Sequence, residues 1–254
     1  LETAGDLIML ALAGAVAGAV NAIAGGGRIL TLAGMMALGI DPRIANLTST
    51  VALSPGQIVA GAMAWKGVRH RPRLAAHLGG SVALAIAVAT IAGACGALLL
   101  LATDSAGFRG IVVWLVLAAT TIYAWAGRST QSIRGSKPLA RRLFWPVITI
   151  LGIYGGYFGG GNSFLVLALL AASGLAGAEG GAVKNIVVAA VNAGAVVVFV
   201  GSGSTQWHLA IPLAVGGVLG SMAGARLFGR LRASQIRPIV IASGLFLAGW
   251  LAFR

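Results

Sequence analysis

Long apolar stretches recur from Leu7 to Phe253 with only short polar connections between them, and that pattern fixes the solvent before it fixes anything else. Runs of about 18 to 28 residues with almost no charge are long enough to cross bilayer hydrocarbon as α-helices. Charged residues make up 9% of the chain, where a soluble domain carries about 25%, and mean hydropathy is +0.95. Nothing is left over for a soluble domain of ordinary size. The expected fold is all-α: a polytopic membrane helix bundle forming one integral membrane domain over residues 1–254.

The apolar segments run from Leu7 to Ala24, Ile29 to Ile40, Ile44 to Trp65, Leu74 to Leu101 and Phe108 to Ala126. A second set runs from Leu143 to Phe158, Ser163 to Leu175, Ala182 to Val200, Trp207 to Leu227 and Ile236 to Phe253. The Ile29 and Ser163 segments have only about 12 residues, too few to cross about 30 Å at 1.5 Å per residue, so they read as half-helices, tilted short helices or re-entrant pieces. Trp65, Trp125, Trp145, Trp207 and Trp250 fall near segment ends, where an indole prefers the water boundary. The first stretch follows Glu2 and Asp6 rather than a basic region and reads as a retained span.

A formal charge of +13 would suggest a nucleic-acid partner in a soluble protein. Here the basic residues gather in loops 66–73, 127–142 and 226–237, which is a topology signal, so no nucleic acid is expected. The three basic loops should face the cytoplasm, and the loops around Asp104 and from Gly201 to Gln206 the outside. Four spans per half would split the basic loops between the two sides; five segments per half keep them together.

Sliding the second half over the first aligns Gly25-Gly26-Gly27 with Gly159-Gly160-Gly161, Thr48 with Asn185, and Phe108 to Val112 with Ile236 to Val240. The order of the matches persists, so residues 1–135 and 136–254 read as two copies of one unit. Corresponding loops carry opposite charge character, which makes the copies inverted in the membrane, a transporter plan in which a central site opens alternately to either side.

Within that plan the glycine triplets draw attention. Three glycines expose backbone N–H groups, and where a helix follows, its positive end makes an anion site. Arg28 follows the first triplet and Asn162 the second, a cation and an amide donor suited to an oxyanion. The competing reading is that these glycines only permit close helix packing. A second polar cluster, Asn46 to Thr50 with Thr48 and Ser49, and its counterpart Lys184-Asn185, could meet substrate oxygens, or cap and back-bond their own helices. Lys184 either snorkels or finds a partner. Asn21, Ser54, Gln57 and Asn192 read first as interhelical hydrogen-bonding residues, with Asn21 also a candidate for the site. The candidate substrate-binding set is therefore Asn21, Gly25, Gly26, Gly27, Arg28, Thr48, Ser49, Gly159, Gly160, Gly161, Asn162, Lys184 and Asn185.

The five carboxylates, Glu2, Asp6, Asp41, Asp104 and Glu179, all sit in terminal or connecting segments, which argues against a carboxylate proton relay or cation site. His70, His77 and His208 have neither zinc-ligand spacing nor a Ser/His/Asp grouping, and Cys95 stands alone. No metal, cofactor or catalytic role is expected.

At AGGGRILTL, LGIDPRIANLTST, FGGGNSFLV and QIRPIVIASGLFLAGW the chain resembles the TauE/SafE family of sulfite exporters, over essentially its whole length. The resemblance implies export or uptake of sulfite, organosulfonates or similar small organic anions across the bacterial inner membrane, by a secondary transporter or, alternatively, an anion channel of similar architecture. The partners so implied are the small anion and the lipid bilayer, with a second copy of the chain as a further candidate.

Overall fold

The computed structural model describes residues 4–24, 27–69, 80–129, 141–175 and 177–227, with positions 71, 74, 241, 242, 245, 248 and 249. Among these residues all regular structure is helical. The helices are α1 (Ala4–Ala24), α2 (Gly27–Ala37), α3 (Pro42–Val68), α4 (Val82–Ala102), α5 (Ser105–Ser129), α6 (Arg141–Tyr157), α7 (Asn162–Ala172), α8 (Gly177–Gly201) and α9 (Trp207–Leu227). They coincide with nine of the ten expected segments. The tenth, from Ile236, lies largely outside the described residues, although Ile241, Ala242, Leu245, Ala248 and Gly249 are helical. Most of loops 127–142 and 226–237 lies outside them as well.

Boundaries differ by a few residues at most helices, and the start of α8 moves from Ala182 to Gly177. In the segment expected from Leu74, Leu74 is itself helical, residues 75–79 lie outside the described ones, and α4 then starts at Val82, where Ser81 caps it: the Ser81 hydroxyl accepts from the Leu84 N–H at 3.0 Å. Helix α3 starts the same way. The Asp41 carboxylate accepts from the N–H groups of Arg43 and Ile44, and Pro42 occupies the first helical position, where no N–H is needed.

Helices α4 and α8 are each long and apolar enough to cross a membrane. Helices α2 and α7 have 11 residues each, about 16 Å, or half the hydrocarbon thickness. Large apolar side chains stand outward on most of the long helices, among them Leu12 on α1, Ile91 on α4, Trp114 on α5 at 71% exposure and Val197 on α8 at 72%. An outer surface of that kind suits acyl chains rather than water.

Inside, two apolar clusters lie toward opposite ends of the bundle. One gathers Leu10, Ile29, Leu32, Met35, Phe108, Phe199 and Leu213, and takes in Ala248. The other gathers Phe144, Ile148, Val166, Leu170, Val183 and Val187. Helix α8 passes from the second cluster into the first, and Asn192 stands between Val191 and Ala195 at the changeover.

Helix pairing is reciprocal between the halves. The first helix of each half packs on the fourth of the other, α1 on α9 and α6 on α4; α3 meets α8, α8 packs on α4 and α3 on α9. Small residues set these distances. On α9, a β-carbon at Gly216 or Gly220 would overlap the carbonyls of Ala11 or Ala15 on α1; on α6, one at Gly156 would overlap the carbonyl of Gly93 on α4. Backbones approach this closely only where no side chain intervenes.

Candidate functional site

The C-terminal end of α6 stops inside the bundle, and its last carbonyls need donors. Side chains from the first half supply them. Arg28, in the first turn of α2, donates through Nη1 to the carbonyls of Gly155 (3.3 Å) and Phe158 (3.0 Å). Asn46 on α3 donates through Nδ2 to the carbonyl of Tyr157 at 2.8 Å. A cation at the negative end of a helix is favourable, so the position of Arg28 has a structural reason. Its Nη2 also donates to Oδ1 of Asn192 at 2.7 Å, and Asn192 Nδ2 donates to Gln57 Oε1 on α3 and to the Val188 carbonyl at 2.9 Å.

Arg28 is 6% exposed, and the acceptors at Gly155, Phe158 and Asn192 are all neutral. A buried charge held by dipoles alone keeps its field, and in a medium of low dielectric that field reaches further than in water.

Around this guanidinium lies a small pocket of about 10 Å³, lined by Asn21, Arg28, Gln57, Gly159, Asn162, Ser163, Val188 and Asn192. It has room for about one water molecule. Asn21, Gln57, Ser163 and Val188 also line a much larger cavity of about 670 Å³, so the pocket is the floor of that cavity. The cavity walls are the C-terminal half of α3 (Pro55 to Met63), the early turns of α8 with Lys184 and Asn185, and Val218, Ser221 and Met222 of α9. It lies toward the end of the bundle where α3 ends, α8 begins and α9 ends.

The turn between α6 and α7 shapes the floor. Gly159 has φ of +70°, and a β-carbon there would overlap Nη1 of Arg28, so both backbone conformation and close approach require glycine. The Gly160 carbonyl accepts from the Tyr154 hydroxyl at 2.6 Å, and Gly161, at φ of +74°, leads into α7. No side chain caps that N-terminus. Asn162, 4% exposed, has its Oδ1 buried without a hydrogen-bond partner, and Ser163 faces both pocket and cavity.

The expected site residues thus divide. Asn21, Arg28, Gly159 and Asn162 meet in the pocket, and Lys184 and Asn185 line the cavity above it. Gly160 and Gly161 belong to the turn. Gly27 packs instead against the Ala17 carbonyl of α1. Thr48 and Ser49 are fully buried away from both spaces; the Ser49 hydroxyl lies 3.4 Å from the Met35 sulfur, and Thr48 Oγ1 has no partner among the described residues. Gly25 and Gly26 lie outside the described residues. Gln57, Ser163 and Asn192 line the pocket as well, although they are not in the expected set. Sequence reading had Gln57 and Asn192 as an interhelical hydrogen-bonding type, which they are, bonded to each other; their place in the pocket wall depends on the α3–α8 crossing. Ser54 bonds back to the Val51 carbonyl within its own helix.

Apolar-surfaced helices, two of them of half length, around a cavity with a cationic polar floor have the build of a polytopic membrane bundle with an internal polar space. The sequence matches the family described as sulfite exporter TauE/SafE over residues 10–251, and the chain belongs to that family. It is similar to a probable membrane transporter protein of Haemophilus influenzae, 26% identical over 256 residues and covering 97% of both chains. It is also similar to the probable membrane transporter protein YfcA of Escherichia coli K12, 27% identical over 232 residues, covering 89% of this chain and 82% of YfcA. A third relative is the probable membrane transporter protein ORF9 of Sinorhizobium sp., 25% identical over 244 residues, covering 95% of this chain and 90% of the relative. No solved structure matches the chain.

Proposed function

We propose that the protein carries a small oxyanion, sulfite or an organosulfonate, across the bacterial inner membrane by alternating access, with the Arg28 pocket as its central site. The observation that carries this reading is a buried guanidinium whose contacts are neutral, on the floor of a cavity. The remaining lining suits an oxyanion: the Ser163 hydroxyl, the amides of Asn21, Gln57 and Asn162, and the positive end of α7, although its Asn162 and Phe164 N–H groups already bond to the Gly159 and Gly161 carbonyls. With its amide turned over, Asn162 would offer Nδ2 donors in place of an orphaned acceptor.

The two halves, 1–135 and 136–254, act in this reading as inverted repeats. The reciprocal helix pairs and the matched half-helices α2 and α7 support it. The basic loops 66–73, 127–142 and 226–237 face the cytoplasm, and the cavity opens toward that side. An anion leaving a negative-inside cell gains about 2.3 kcal/mol per charge per 100 mV, which favours outward flux without a co-substrate. Narrowing from about 670 to about 10 Å³ supports a carrier over a channel.

Sulfite uptake into proteoliposomes tests the reading. Uptake should saturate and should accelerate when the lumen is preloaded with unlabelled sulfite. Flux that rises linearly with concentration and ignores preloading would remove the carrier mechanism, and no sulfite flux would remove the substrate. For sidedness, Met63→Cys in a Cys95→Ser background should react with an impermeant thiol reagent in inside-out vesicles and not in intact cells; Cys95 must go first because it is exposed.

A further inference from the structure

We infer that Lys184 forms a second anion station in the cavity, about 12 Å of helix rise before Asn192 of the Arg28 pocket, so that the oxyanion is handed along one face of α8 in two steps. The inference rests on the reading of the Arg28 pocket as an anion site.

Gly181, Lys184, Val188 and Asn192 recur at intervals of three and four residues, so they share one face of α8. The first three line the cavity, and the last two line the pocket, so this face runs without a break from the cavity wall to the Asn192–Arg28 hydrogen bond. Lys184 is only partly buried, and the ion pairs among the described residues, Arg71–Glu179 and Arg109–Asp41, do not include it. The nearby acid at that end of α8, Glu179, is engaged by Arg71 at 2.6 Å. Asn185 and Ser221 add polar groups to the same space, while Val59, Met63, Val218 and Met222 supply apolar walls. An ammonium set among such walls is weakly screened and raises the local anion concentration.

Room decides which cation an anion reaches first. The pocket at Arg28 fits one water, so in this conformation a pyramidal or tetrahedral oxyanion stops in the cavity, where Lys184 is the cation on the wall. Release of the Asn192–Gln57 hydrogen bond would widen the floor and pass the anion on to Arg28. A lysine that merely snorkels would hold its charge in water and leave anion binding unchanged.

Calorimetric titration of the purified protein in lipid nanodiscs with sodium sulfite, at low ionic strength, tests the station. Asn192→Asp neutralises the inner site while leaving Lys184 in place. That variant should still bind sulfite, and Lys184→Gln in the same background should weaken the binding at least about tenfold, the equivalent of one charge at short range. Lys184→Arg should restore it. In proteoliposomes, Lys184→Gln alone should raise the half-saturating concentration on the cavity side while the maximal rate stays near wild type. If Asn192→Asp abolishes all binding and Lys184→Gln titrates like wild type, the second station is wrong and the Arg28 reading stands. If the wild-type protein neither binds nor moves sulfite, both fall together.

Discussion

Asn192→Asp separates what Arg28 does for the fold from what the proposed function asks of it. The Asn192 Oδ1 already accepts from Nη2 of Arg28 at 2.7 Å, so aspartate keeps an acceptor of the same shape in the same place. Asn192 Nδ2 is lost as a donor, but the Gln57 amide can turn and donate to the new oxygen, and the Val188 carbonyl gives up only a side-chain partner. Charge is what changes. A carboxylate about 4 Å from the guanidinium centre attracts it by about 4 kcal/mol at the effective dielectric that suits protein sites. Roughly that amount disappears from the pull on a visiting anion, close to a thousandfold in affinity at the inner site. Aspartate has its own desolvation cost, so the fold should gain less than the solute loses. Thermal unfolding in detergent and sulfite uptake in proteoliposomes report the two effects separately. The expected result is an unfolding midpoint at or above wild type with uptake lost. Uptake at the wild-type rate by a stable Asn192→Asp protein would refute the idea that the net charge of the pocket selects the solute.

Other substitutions test the surroundings. Gly159→Ala should lower the unfolding midpoint more than Gly177→Ala: both positions have φ near +70°, which costs an L-residue about 1–2 kcal/mol, but only Gly159 abuts Arg28 while Gly177 faces open space. Equal losses in the two variants would show that Nη1 is not held against the turn. Gly220→Leu should prevent α1 and α9 from closing on each other, read as a loss of folded protein on size-exclusion chromatography, whereas Gly67→Leu, facing open space, should leave the yield unchanged. Arg71→Ala removes an ion pair whose side chains are 48% and 33% exposed, and chemical denaturation should register less than about 1 kcal/mol.

Much of the bundle was legible because hydropathy reports helices directly. The short Ile29 and Ser163 segments correspond to α2 and α7 of 11 residues each, since length is a property of the string itself. The glycine triplets were legible as special, but what the described ones pack against was not. Their backbone N–H groups suggested ligand contacts, yet Gly27 is placed by the carbonyl of Ala17 and Gly159 by the width of a guanidinium arriving from 131 positions earlier. Neither neighbour is near in sequence. Thr48 and Ser49 could not be placed for a similar reason: a polar pair early in α3 can face any of its surroundings, and here Ser49 lies against Met35 of α2. Asn192 and Gln57 carry the reverse lesson, because a hydrogen bond between helices and a place in a pocket wall are not alternatives.

That last point bears on how a bound charge could drive the carrier. Arg28 belongs to the first half of the chain, and all three of its acceptors, Gly155, Phe158 and Asn192, belong to the second. Asn46 on α3 reaches across in the same way to the Tyr157 carbonyl. The end of α6 is therefore capped by the other half, with a cation as its main donor. An oxyanion at the floor would compete with those carbonyls and with Asn192 for the same guanidinium hydrogens, so binding weakens the bonds that fix the halves in this arrangement. A ligand can shift a conformational equilibrium only through contacts that differ between the states. In the proposed carrier the differing contact would be the guanidinium itself, a strut between the halves when the pocket is contracted, as it is here, and a ligand if the pocket widens.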